Sequence, residues 1–183
     1  LLTRQQFCRL FGLDSAKKII LFASQPLDSQ LDTAAALNSQ RSAILDLLAY
    51  CERSDAQLIV RLPPSKDDIL GPMLRDMLLR SSHGAFDNAT CYLVNPEEAL
   101  FHCDVITSIN STMLFEGLLQ GRYALSLKYV DFTQIWERAG IPAARSLDEA
   151  TPILDGMLAG TWNRDEEGMR WAAEAFGVGA FDG

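Results

Sequence analysis

The sequence predicts an α/β domain, a Rossmann-like parallel sheet with helices on both faces, on three observations. Short β-rich runs alternate with longer amphipathic stretches about five times along the chain, the order that builds a parallel sheet through crossover helices. The first run, residues 18–23, is continuously apolar after its lysine rather than alternating, as expected of a strand covered on both faces. The runs also stop at polar or proline-bearing junctions, Ser24-Gln25-Pro26 after the first and Pro63-Pro64 after the second, where a central ladder cannot continue.

The elements follow in order. The first dozen residues read as a lead-in helix joined through Gly12-Leu13-Asp14 to the first strand, which sets residues 1–16 apart as a lead-in and interdomain linker and 17–183 as the domain. Residues 27–38 are polar and Ala-rich, a loop with the start of a helix. Residues 42–53 place Ile44, Leu45, Leu47, Leu48 and Cys51 on one broad face, a helix. Residues 57–62 form the second strand. A helix carrying Met73, Leu74, Met77 and Leu78 then opens either at Lys66-Asp67-Asp68, capped by Ser65, or at Pro72. Residues 90–94 read as the third strand, and Asn95-Pro96-Glu97-Glu98 starts a short helix, with proline and acids in its first turn. Residues 104–108 are the fourth strand, 111–120 a helix closed by Gly121, and 123–127 the fifth strand. Residues 131–138, 147–158 and 164–175 are expected to be helical.

A chain of 183 residues, 48% hydrophobic and 22% charged, is long enough for one domain with a core that needs no staples. The net charge of -8 argues against nucleic-acid binding and against docking on anionic membranes. No apolar run approaches a transmembrane length, and no basic segment precedes an apolar stretch at the N-terminus as in a signal peptide. The chain does not begin with Met, so it is expected to be a piece of a longer protein. Cys8, Cys51, Cys91 and Cys103 are scattered and lack the paired spacing of a zinc site; reduced thiols and a cytoplasmic location, peripheral to the inner membrane at most, are expected. No metal is expected either, Asp67-Asp68 reading as helix N-terminal acids.

Ligands of such sheets bind beyond the carboxyl ends of the strands, where the strand order reverses. The junctions to inspect are therefore Ser24-Gln25, Arg61, Asn95-Pro96 and residues 107–112. In the last, four hydroxyls and an amide crowd one strand-to-helix turn, more than capping alone requires, which suggests an anion site on the new helix's free N–H groups. Glu116, four residues after Thr112, falls on the same face one turn deeper, suited to accept two hydroxyls. Arg61 reads either as a fixed cation for a phosphate or as the partner of Asp67 or Asp68. His83 is expected in a surface loop and His102 at a helix end, neither beside a nucleophile. The G-x-G-x-x-G and G-x-x-x-x-G-K-[ST] patterns are both missing, which argues against ordinary dinucleotide or P-loop binding.

Residues 103–121, with Asp104, Ser108, Ser111-Thr112, Glu116-Gly117 and Gly121-Arg122, resemble the donor-site signature of GT-B glycosyltransferases, most of all the group that makes capsules and surface polysaccharides. Residues 17–26, Ala139-Gly140-Ile141-Pro142 and the closing Phe181-Asp182-Gly183 are similar to further stretches of the C-terminal domain in that group. The family often carries His-Pro after the second strand, where this chain has Leu62-Pro63, and a proline where it has Tyr123. The resemblance implies one half of a GT-B fold that binds a nucleotide-sugar as donor substrate and needs no separate cofactor. Ser108, Asn110, Ser111 and Thr112 would hold the phosphate, Glu116 the ribose, with Asn95 near the base and Ser24 and Arg61 on the same rim. It further implies a glycan or lipid-linked acceptor and an N-terminal domain that this stretch does not contain. The alternatives are a nucleotide-sugar 2-epimerase-like protein and a non-catalytic Rossmann scaffold module.

Overall fold

A computed structural model describes residues 1–27, 32–88, 92–131 and 135–176. Its centre is a six-stranded, wholly parallel sheet in the order β3-β2-β1-β4-β5-β6. In chain order the elements are α1 (Arg4–Phe11), β1 (Ile19–Ala23), α2 (Thr33–Ser54), β2 (Gln57–Arg61), α3 (Gly71–Arg80), β3 (Gly84–Asp87), α4 (Pro96–His102), β4 (Val105–Ser108), α5 (Met113–Leu119), β5 (Tyr123–Leu127), β6 (Ala143–Ala144), α6 (Leu147–Ala159) and α7 (Glu166–Ala175).

Strand side chains alternate between two cores. Ile20, Phe22, Leu58, Val60, Val105, Leu125 and Leu127 pack with α2, α3 and α6, whereas Ile19, Leu21, Ile59, Ile106 and Ala124 pack with residues of α1, α4, α5 and α7. This two-sided burial is why β1 is a continuous apolar run. The lead-in helix α1 is capped by Thr3 and ended by Gly12 in the left-handed region, and it buries Phe7 and Cys8 in the second core. Helix α3 takes the later of its two expected starts: Pro72 sits in its first turn, and Asp67 is held instead in the preceding loop.

The third strand departs from expectation. It is Gly84–Asp87, not residues 90–94; of those, 89–91 lie outside the described residues, and Tyr92, Leu93 and Val94 are not in a strand. The reason is the partner that β2 requires. Register places Asp87 beside Arg61, and the two form an ion pair at 2.9 Å. The apolar stretch after it folds over that pair, Tyr92 lying on the guanidinium and Val94 giving it a carbonyl. Of the expected 131–138 helix, residues 132–134 lie outside the described residues, and 135–140 form turns. The two-residue edge strand β6 carries too little pattern to be read from sequence.

Helix α5 lies unusually close to β4. A Cβ built on Gly117 would stand 2.6 Å from Ile106 Cγ1 and 3.2 Å from its Cβ, and Ile106 is wholly buried. Gly117→Ala is therefore expected to lower stability by about 1–3 kcal/mol through overpacking, seen as a reduced urea midpoint with unchanged slope. An unchanged midpoint would show that α5 has room to move.

Candidate functional site

In a parallel sheet each helix that follows a strand begins at the strand's carboxyl end, so that rim collects helix N-termini and loops. Here the order reverses between β1 and β4, which are adjacent although their successors run to opposite sides. Such a switch point is where α/β sheets bind ligands. The segments that meet there are the Ser24–Gln25 junction and residues 109–112.

The residues of the turn divide into two sets. Thr107 and Ser108 are buried, and their hydroxyls donate to Leu21 O at 2.8 Å and Ala23 O at 2.6 Å. Ser24 and Ser126 do the same, to Arg61 O at 2.6 Å and Ile109 O at 2.8 Å. These four hydroxyls tie β1, β2, β4, β5 and the turn after β4 to one another, so much of the Ser and Thr here is engaged within the fold. Ser108 Oγ also accepts the Ser111 N–H at 3.2 Å. The second set faces outward: Asn110 and Thr112 are exposed and Ser111 half-buried. Ser111 Oγ accepts the Met113 N–H at 3.2 Å, and Thr112 Oγ1 donates to the exposed Glu116 carboxylate at 3.1 Å. Thr112 makes no side-chain cap on α5, and its N–H has no hydrogen-bond partner among the described residues.

Arg61 is not the open cation the sequence suggests, nor does it pair with Asp67 or Asp68. It is 5% exposed, and Nη1 donates to Asp87 Oδ2 at 2.9 Å and Val94 O at 3.0 Å. Its guanidinium carbon lies 3.9 Å from the centre of the Tyr92 ring. Burial pushes the Asp87 carboxyl up from its ordinary value, while the Leu93 N–H and Arg61 favour its charged form. The pair holds Leu93 and Val94, Asp87 Oδ1 accepting the Leu93 N–H at 2.8 Å. Asn95, exposed and next in the chain, caps α4 by accepting the Glu98 N–H at 2.8 Å.

Two features of the rim escape a reading by sequence. Gln40 of α2 is 2% exposed and grips Gln25 twice, accepting its N–H at 2.7 Å and donating to its carbonyl at 3.1 Å. Gln25 Oε1 in turn accepts the Asn110 N–H at 2.9 Å, bridging the crevice. On the other side Trp136 Nε1 donates to Asn110 Oδ1 at 2.9 Å. Polar residues in helix and loop positions carry no periodic signal for such contacts. Beside Gln25, Asp67 Oδ2 accepts from Leu27 N and from Ser65 Oγ, both at 2.8 Å. Both histidines lie at the opposite edge: His83 Nδ1 stands 2.8 Å from Ala56 O ahead of β2, and His102 stacks on Phe7 ahead of β4. Among the described residues no cluster of three or more His, Cys, Asp or Glu could hold a metal, and no helix is long and apolar enough to cross a membrane.

No protein-family model matches the chain. No curated protein matches it either. Solved structures do. UDP-GlcNAc 2-epimerase from Methanocaldococcus jannaschii superimposes with a TM-score of 0.63 at 14% identity, over 94% of this chain and 49% of that one. The same enzyme in complex with UDP-GlcNAc and UDP gives 0.61 at 11% identity, over 94% and 48%. UDP-GlcNAc 2-epimerase from Neisseria meningitidis bound to UDP-GlcNAc gives 0.62 at 12% identity, again over 94% and 48%. The Rossmann-like fold is thus that of half of such a protein, and the chain spans about half the length of the structures it matches.

Two outcomes follow from this geometry. Arg61→Ala leaves Asp87 buried without its cation and should cost about 3–5 kcal/mol in urea unfolding, with Asp87→Ala partly restoring the loss; a cost confined to a few tenths would place the pair outside the fold's essentials. The Leu27 N–H, and after it Ser65, hold the Asp67 carboxyl below its ordinary value of 3.8. A folded-state value below the unfolded one means a contribution present above pH 3.8 that is lost as pH falls through the lower folded value. Asp67→Asn should therefore flatten the acid limb of the stability profile, and an unchanged limb would contradict it.

Proposed function

We propose that this chain is the nucleotide-sugar-binding half of a GT-B-type glycosyltransferase that moves a sugar from its nucleotide to a surface-glycan or lipid-linked acceptor in the cytoplasm. The observation that carries the reading is the outward-facing Asn110–Ser111–Thr112 turn, with Glu116 behind it, at the switch point of the sheet. The Thr112 N–H and the Ser111 hydroxyl are the donors offered to a phosphate there, and the Thr112 hydroxyl joins them only by turning from Glu116. Glu116, which already accepts one hydroxyl, suits the ribose; Asn95 closes the base end.

In transfer, the bond between the anomeric carbon and the phosphate oxygen breaks, and its electron pair stays on that oxygen. Donors fixed before the reaction stabilise this charge without reorganising. The acceptor hydroxyl forms the new bond and gives its proton to a base on the second, N-terminal domain. Ser108, Ser24 and Arg61 act one layer back, Ser108 by holding the Ser111 N–H, Ser24 by bonding the Arg61 carbonyl and Arg61 by holding Val94.

A second reading, nucleotide-sugar 2-epimerisation, shares the binding step and is favoured by the named activity of the structures with this fold. Its proton transfers need carboxylates or imidazoles at the sugar. In this half Glu116 is the exposed carboxylate of the turn, and both histidines are at the far edge. Incubation of a labelled nucleotide-sugar without acceptor, once the second domain is supplied, separates the two readings.

Calorimetric titration of the chain with UDP, CMP, CDP and GDP tests the shared step. One of them is expected to bind below millimolar, and Ser111→Ala with Thr112→Ala to abolish that binding while leaving the unfolding temperature within a few degrees. A folded chain that binds none of the four favours the non-catalytic scaffold.

A further inference from the structure

Asn110 is held at two points by groups from different parts of the chain: its N–H by Gln25 Oε1 and its Oδ1 by the indole N–H of Trp136. The indole is buried and its ring lies over Phe115 of α5, with centroids 6.0 Å apart and planes 15° from parallel. Phe115 is backed in turn by Phe176 at 4.8 Å. Trp136 therefore cannot swing away without breaking an aromatic stack.

The chemistry of the contact has a direction. An indole nitrogen donates only, whereas a carboxamide both donates and accepts. Trp136 must therefore meet the oxygen of Asn110, and this leaves the amino group Nδ2 turned from it. That group has no hydrogen-bond partner among the described residues, and the side chain is exposed on the crevice. An exposed loop asparagine would ordinarily rotate freely and offer either end of its amide; here it offers a fixed pair of donors.

We propose that Trp136 is a positioning residue of the rim: it locks the Asn110 amide so that Nδ2 donates to an oxygen of the bound nucleotide's phosphate. The inference rests on the nucleotide-sugar reading of the same turn. It also accounts for what the fold leaves unexplained, since a buried indole N–H could have been satisfied by any nearby carbonyl.

The test is titration of the full 183-residue chain with UDP, alongside thermal unfolding. Trp136→Phe keeps the stack and loses the N–H; it should weaken UDP about three- to tenfold, the loss of one net hydrogen bond. In an Asn110→Ala background the same change should add nothing. Asn110→Asp is decisive because it still accepts from Trp136 but presents no donor and repels phosphate. It should keep the unfolding temperature and lose UDP at least about tenfold. Asn110→Asp binding UDP as the unaltered chain does, or Trp136→Phe weakening it equally in both backgrounds, overturns the positioning role alone. If the unaltered chain binds UDP at no concentration up to millimolar while folded, the nucleotide reading fails for UDP and this role fails with it. Were Trp136→Phe to misfold, the Asn110→Asp result at an exposed position decides by itself.

Discussion

A parallel sheet covered by helices on both faces meets water only along its two ends and at its outermost strands. In this protein the residues of β1, β2, β4 and β5 alternate between two apolar cores, so nothing polar can be presented from the middle of the sheet. Function is confined to the ends, and the carboxyl end is where helices start and where loops are free to vary. The position of the site follows from one further fact. The chain builds outward from β1 in one direction, returns, and builds outward from β4 in the other. The crevice between those two strands is therefore a consequence of connectivity, whatever residues line it.

What lines it shows how a single cluster of hydroxyls can serve two purposes. Thr107, Ser108, Ser24 and Ser126 each turn a hydroxyl onto a backbone carbonyl, of Leu21 and Ala23 in β1, Arg61 in β2 and Ile109 after β4. Ser111 and Thr112 are the hydroxyls of the turn that are not engaged in this way. The buried Arg61–Asp87 pair works on the same principle at the neighbouring strands. It anchors the loop leading to Asn95, and Tyr92 covers the guanidinium so that its charge is spent inside the fold.

Much of this is legible in the amino-acid order because it follows from periodicity. The strands β1, β2, β4 and β5, the two-sided burial and the helices α4 and α6 are all visible in the spacing of apolar residues and, for α4, in the Asn95-Pro96 start. The third strand is not, because Gly84-Ala85-Phe86-Asp87 is short and weakly apolar. It is selected by pairing Asp87 with Arg61, a long-range electrostatic match that no local pattern carries. The same holds for the site. The turn at residues 107–112 declares itself by composition, but the division of its hydroxyls between sheet and solvent depends on which carbonyls lie opposite. Gln25, itself held by Gln40, and Trp136 meet Asn110 from separate segments. Their polar tips meet through topology, and a single sequence offers no signal for that.

The central proposal is that the rim between β1 and β4 takes the phosphate of a nucleotide-sugar. Backbone amide chemical-shift mapping of the isotopically labelled chain with UDP added tests it most directly. The account predicts shifts concentrated at Gln25, Ser108, Ser111 and Thr112, with a lesser set near Asn95. Shifts centred instead on the opposite edge, around Lys18, Asp104 and Arg122, would contradict it.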